Sequence, residues 1–271
     1  MAEPIQKVLI TGANGLIGNL VYAALAAQPG RYAPYGLVRR KEPSMRVDPA
    51  DFYTIPADRL RLADLADFPA IETAVQGMDT VVHMAADASG GSGWESILRN
   101  NIIGTHNVFE ASRRAGVKRV IFASTNQVVF GYRVDEPYKT LFAADLAATP
   151  GELFPPFQPI LPDQPTRPLN DYACSKVYGE ALAHMYAFTH GMSCICLRIG
   201  WVTPDDHVPS RILWCSQREI VQLVERSLSA PASLRFDVFF GQSDNPHNLI
   251  DIQRTRDVLG YHPQDQAEET P

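Results

Sequence analysis

The chain has 271 residues, 45% of them hydrophobic, and a formal net charge of -6. That length and apolar content suit one large α/β core, so a single domain over residues 1–271 is expected rather than two. The charge is spread without basic runs or aromatic-basic interleaving, which argues against a nucleic-acid partner.

The N-terminal "MAEPIQKVLITG" lacks the charged and apolar regions of a secretion signal, and no apolar run approaches membrane-spanning length. A cytoplasmic protein with no membrane partner is therefore expected. Apolar runs alternate with helical patterns along nearly the whole chain, the signature of a parallel sheet covered on both faces. In chain order, residues 8–11 read as a strand, 15–27 as a helix, 35–38 and 59–62 as strands, and 80–83 as a fourth strand within "DTVVHMAA". Residues 95–115 are helical in pattern, 119–124 strand, 172–190 helix, 192–199 strand, 217–229 helix and 236–240 a last strand.

Right-handed crossovers make this a Rossmann-type, doubly wound parallel sheet, with a small C-terminal substrate-binding section over 200–271. Ligands in such sheets collect at the carboxyl ends of the strands, so function is sought after Thr11, Val38, His83, Ser124 and Ile199. His83, at a buried strand end, reads as a packed residue rather than a catalyst. Of the four cysteines, only Cys194 and Cys196 are close, in an apolar run. Too few further ligands lie near them for a metal, so buried thiols and no metal site are expected.

Residues 133–168 break the rhythm with eight prolines in a stretch too long for an ordinary connection. Phe142, Leu153, Phe154, Phe157 and Ile160 give it apolar anchors, which favours an ordered lid over the site; the alternative is a loop packed on the surface.

"TGANGLIG" places Gly12, Gly15 and Gly18 between the first strand and its helix. The first glycine permits a tight turn, the second lets backbone approach a pyrophosphate, and the third allows close packing, while the helix N-terminus favours negative charge. The residue that reads the adenosine ribose is expected about 20 positions on, at the end of the second strand, and Arg39 stands there with Arg40 beside it. Guanidinium groups can hold a 2'-phosphate with charge-assisted bonds where an acid would repel it, so NADP is favoured over NAD. The alternative is that both are solvated surface arginines. "DYACSK" then sets Tyr172 and Lys176 one helical turn apart, downstream of a strand ending in "FASTNQ" with hydroxyls at Ser124 and Thr125.

The ordered set "TGANGLIG", "ADLAD", "VVHMAA", "NNIIGTHNVFEASRRAGVKRVIFAST" and "YACSK" resembles the extended short-chain dehydrogenase/reductase family, which includes the NAD-dependent epimerases and dehydratases, over nearly the whole chain. The resemblance implies an NAD(P)-dependent oxidoreductase with Tyr172 as acid/base, Lys176 as its activator and ribose ligand, and Thr125 as the hydroxyl that positions the reacting oxygen. It further implies cofactor contacts at Asn14, Leu16, Ile17 and Ile199, an adenine contact at Asp64 and Leu65, cofactor-lining backbone at Ala85 and Ala86, and Asn101 near the site. Asp64 has the alternative of capping a turn, and Asn101 that of bridging backbone.

Within the family, "RIGWVTPDDHVPSRILWCS" and "STNQ" are most similar to the uronate dehydrogenases. That likeness implies a carboxylate ligand at Arg211, sugar contacts at Ser89 and Asn126, and a sugar-like, possible uronate, substrate. Gln127 stands where that group has His, Trp201 where it has a small residue, and the Pro-rich segment is longer. A salt bridge to Asp205 or Asp206 is the alternative for Arg211. Two other functions stay open: a sugar epimerase or dehydratase that retains its cofactor, and a non-enzymatic NADP-binding redox sensor. The family also implies a homodimer.

Overall fold

The computed structural model describes residues 4–88, 93–147 and 156–267. The strands are β1 (Gln6–Thr11), β2 (Tyr32–Val38), β3 (Leu60–Leu62), β4 (Thr80–His83), β5 (Arg119–Thr125), β6 (Ser193–Ile199) and β7 (Phe236–Gly241). All pair in parallel in the order β3-β2-β1-β4-β5-β6-β7, the doubly wound topology expected. The order reverses between β1 and β4, where Thr11 is level with His83, and a crevice opens beyond the strand ends there.

Every residue of β4, β5 and β6 is buried, as strands covered on both faces must be. One face packs under α1 (Leu16–Ala26) and α7 (Gln217–Leu228), with Val21, Leu25, Ile220 and Leu223 against Ile10, Ile121 and Ile195. The other packs under α2 (Phe68–Ala74), α4 (Gly104–Arg114) and α6 (Asp171–His190), with Ile71, Phe109 and Ala183 against Leu9, Val81 and Phe122. A short α3 (Gly93–Ser96) and a π-helical stretch, Ile97–Ile103, lead into α4. Such i to i+5 stretches are wider than an α-helix and turn side chains to new directions.

α6 begins where Asn170 Oδ1 accepts from the Ala173 N–H at 2.7 Å, and ends at Gly191 with φ 73, a left-handed cap. Its close seat on the sheet needs Gly179, because a Cβ there would fall on the ring of Phe122. The position and spacing of its residues are therefore fixed relative to β5.

The described part of the Pro-rich segment packs into a third apolar cluster with the C-terminal section. After a 3-10 stretch, Asn126–Val134, comes α5 (Tyr138–Ala147), and Leu141, Phe142, Phe157 and Ile160 pack with Ile212, Leu213, Phe240, Leu249 and Ile250 of the C-terminal section. Backbone bonds join the two stretches, Ile160 N to Leu249 O and Asp251 N to Ile160 O, both 2.9 Å. The chain closes with α8 (Gln253–Leu259). Leu153 and Phe154 lie outside the described residues. Among the described residues no helix is long and apolar enough to cross a membrane, and Cys194, Cys196 and Cys215 are buried free thiols while Cys174 is exposed.

Candidate active site

The turn after β1 holds Gly12 at φ +71, and a Cβ there would lie 2.9 Å from the Ala85 Cα. Gly15 caps α1 without any side-chain bond to the helix's first N–H groups, so those donors face the crevice. Gly18 lies against the Gly12 carbonyl, where any side chain would collide. These three glycines thus bring backbone close together at a helix N-terminus, an arrangement that could cradle an anion.

The cradle is the middle of one cavity of about 1180 Å³. At one end stand Val38, Arg39, Arg40 and Leu65; at the other stand Thr125, Asn126, Gln127, Tyr172, Lys176 and Trp201; Ala85, Ala86 and Ile199 line it between. Arg39 and Arg40 are exposed and make no ion pair among the described residues. Asn14 also lines the cavity, and its Nδ2 donates to the carbonyls of Arg40 at 3.1 Å and Lys41 at 2.7 Å, while its own carbonyl accepts from Ser44 N at 2.9 Å. The glycine turn thereby fixes the loop that carries the arginines.

Tyr172 and Lys176 point from α6 to the end of β5. The Tyr172 hydroxyl lies beside Thr125; burial pushes this phenol up to about 12, with Thr125 and the cation of Arg46 pulling it down. Its ring is half-buried because it faces the cavity. Lys176 is buried, its Nζ donates to the Ala123 carbonyl at 2.7 Å, and it lies 5.7 Å from the Tyr172 ring centroid. Burial brings this amine down to about 7, with Glu180 pulling the other way. Both groups are therefore moved toward forms without charge, and any cation brought into the cavity favours the phenolate.

Asn126 is 4% exposed, and its Nδ2 has no hydrogen-bond partner among the described residues although it lines the cavity. A buried donor left open beside the proton-transfer groups fits a ligand's oxygen. Gln127 accepts from Asn170 Nδ2 at 3.1 Å, and Trp201 is 49% exposed with its backbone bonded to Leu213 and Cys215.

Three expected residues lie away from the cavity lining. Asp64 accepts from the Ala66 N–H at 2.9 Å and pairs with Arg99 at 3.2 Å, contacts that hold its carboxyl below the usual range, so it caps a turn while Leu65 faces the cavity. Asn101, in the π-helical stretch, spends both ends of its amide on the Asp87 backbone and on Ser175 Oγ at 3.0 Å, tying the turn after β4 to α6. Arg211 donates its backbone N–H to Asp145 at 2.8 Å and is not a lining residue, while Asp205 bonds His207 and Asp206 accepts from Gln217 N. Ser89 lies outside the described residues. Of the described part of 133–168, only Arg133 lines the cavity.

Arg46 is one of the lining residues that sequence patterns do not mark. It lies in the irregular loop after β2, with no motif around it, and its position follows only from the anchoring of that loop by Asn14 and Asn19, whose Oδ1 accepts from Tyr53 N at 2.9 Å. His83 is fully buried between Thr11 Oγ1 at 2.8 Å and Thr105 Oγ1 at 3.2 Å and does not line the cavity, in keeping with a packing role.

The model of the NAD dependent epimerase/dehydratase family matches residues 8–203. An NAD-dependent glucose-6-phosphate dehydrogenase of Haloferax volcanii is 32% identical over 97% of this chain and 95% of its own length. A uronate dehydrogenase of Pseudomonas putida is 33% identical over 98% of this chain and 86% of its own. Among solved structures, a mutant uronate dehydrogenase from Agrobacterium tumefaciens complexed with NAD superimposes with a TM-score of 0.75, at 30% identity over 99% of this chain and 91% of that one.

Proposed function

The chain belongs to the NAD-dependent epimerase/dehydratase family and is a nicotinamide-dependent oxidoreductase, and on that premise we propose that it is a dehydrogenase acting on a hydroxyl of a sugar-type substrate, with Thr125, Tyr172 and Lys176 as its catalytic set. One observation carries the reading: these three groups meet at the far end of the cavity whose middle is the glycine cradle. The open N–H groups at the start of α1 fit a pyrophosphate, and Gly12, Gly15, Leu16, Ile17 and Gly18 would hold it. Ala85, Ala86 and Ile199 would border the rest of the cofactor.

When bound, an oxidised nicotinamide supplies the hydride acceptor and a positive charge beside the phenol. Thr125 holds the substrate oxygen through its hydroxyl, and Tyr172 takes the proton from that oxygen. Lys176, charged, stabilises the resulting balance at Tyr172 and is placed to hold the cofactor ribose. Asn126 donates its open Nδ2 to a second hydroxyl of the substrate, with Gln127 and Trp201 bordering the same end. Sugar-type substrates are supported by the relatives named for glucose 6-phosphate and for uronates.

For the adenosine end we read Arg39 and Arg40 as a 2'-phosphate site, since both line the cavity without an ion pair among the described residues. Glu42 lines the same cavity and is the acid that would accept from a free ribose hydroxyl of NAD, the cofactor named for the relatives. We also read the protein as cytoplasmic and homodimeric, with exposed Met185 and Phe188 on α6 as apolar surface for a second copy.

The test is a panel of uronates, aldoses, hexose phosphates and small carbonyl compounds with each cofactor. Net reduction of the cofactor by a sugar supports the reading. Tightly retained cofactor with no net absorbance change on any of them points instead to an epimerase or dehydratase.

A further inference from the structure

Along α6, Tyr172, Lys176 and Glu180 recur every four residues and share one face. Glu180 is 7% exposed, and two other elements hold its carboxylate. Arg198 on β6 grips both oxygens, Nε to Oε1 at 2.9 Å and Nη2 to Oε2 at 2.8 Å, and Ser124 Oγ on β5 donates to Oε1 at 2.6 Å. Ser124 and Arg198 are level with each other in neighbouring strands, and Ser124 precedes Thr125 in the chain. The remaining arm of Arg198, Nη1, donates to the Pro162 carbonyl at 3.0 Å, inside the Pro-rich segment.

A buried ion pair of this kind is weak evidence for stability, because desolvating two charges costs about as much as their attraction returns. Its place in the site is more specific. The groups that face Lys176 and its partners come from four elements and one loop: Tyr172 and Glu180 from α6, the neutral His83 from β4, the Ala123 carbonyl from β5, Arg198 and the buried Cys196 thiol from β6, and Arg46 reaching Tyr172 from the loop after β2. Among these described groups Glu180 is the one anion.

We propose that Glu180, steered by Arg198 and Ser124, is a positioning residue that keeps Lys176 charged next to Tyr172, and that Arg198 joins this arrangement to the Pro-rich segment through Pro162. The proposal rests on the reading of Tyr172 and Lys176 as the proton-transfer pair. Burial already draws Lys176 down to about 7, against the pull of Glu180. Without the carboxylate the ammonium is lost at lower pH, and the phenolate loses the cation it needs at neutral pH.

The experiment is the pH-dependent labelling of Lys176 by acetic anhydride in the full chain, read by peptide mass spectrometry. Glu180→Gln should move the midpoint of Lys176 down by about one pH unit, and Glu180→Asp should return it toward the wild-type value. Because Glu180→Gln leaves Arg198 buried without its partner, the double variant Glu180→Gln with Arg198→Met is measured beside it. That pair leaves no lone charge, so a downward shift retained there belongs to the carboxylate. A wild-type midpoint in the double variant overturns the proposal. The reading beneath it fails differently: turnover retained in Tyr172→Phe would remove the catalytic assignment while leaving the Lys176 midpoint shifted.

Discussion

Arg46 Nη2 donates to the Val202 carbonyl at 3.1 Å, so a residue of the loop after β2 clasps the segment after β6 across the cavity. The same cation lowers the Tyr172 phenol. Arg46→Gln removes that pull, and the phenol then keeps its proton to higher pH. Substrate oxidation needs the phenolate, so the acid limb of its pH-rate profile should move up by a few tenths to about one unit. An unmoved limb in a well-folded variant would show that Arg46 serves only as a clasp.

Tyr172→Phe removes the hydroxyl beside Thr125 and leaves the ring that borders the cavity. Turnover should fall by a factor on the order of 10²–10⁴, the usual range for a lost acid/base group. Cofactor binding, followed by fluorescence titration, should stay within a few-fold of wild type. Near-normal turnover would sink the mechanism.

Arg39→Asp places an acid where the 2'-phosphate is expected. NADP affinity should drop by roughly tenfold or more, the loss of about one charge-assisted bond, with NAD affinity equal or better. Isothermal titration with both cofactors reads the comparison directly. If NADP affinity is unchanged and NAD binds more tightly to both proteins, Glu42 and not the arginine pair reads the ribose.

His83 links pH to stability. Burial holds its imidazole at about 3, against 6.5 for a free histidine, with Lys176 acting in the same direction. Above pH 6.5 both folded and unfolded chains carry it neutral, and no stability is lost. Between 6.5 and about 3 the unfolded chain takes up a proton that the folded one refuses, so stability falls with pH by about 1.4 kcal/mol per unit from this residue. Urea melts at pH 7 and pH 5 should therefore separate less in His83→Gln than in wild type.

The glycine turn and the Tyr172/Lys176 pair were legible in the sequence because each depends on local spacing: a turn that tolerates only Gly, and one turn of helix. The central strands β4, β5 and β6 were legible for a similar reason, since buried parallel strands are short continuous apolar runs. α2 and α8 have seven residues each, too few for periodicity to declare itself, and α5 lies inside a segment dominated by proline. Arg46, Glu180 and Arg198 carry meaning only through contacts between distant elements. Asp64 and Asn101 show the converse, since a polar side chain close to a site in sequence can be occupied in holding backbone. The backbone N–H of Arg211 is held by Asp145 on α5, a contact that no spacing rule reports.

Leu141 and Ile160 share one cluster with Ile212, Leu249 and Ile250, so the described part of 133–168 and the stretch over 212–252 are two halves of a single packed unit. A chimera that exchanged the Pro-rich segment for that of a relative, while keeping its own C-terminal section, would strip the cover from Phe240 and Leu249 and present a bare apolar face to water. A chimera is therefore expected to fold when both stretches are exchanged at once, and to lose stability when either is grafted alone.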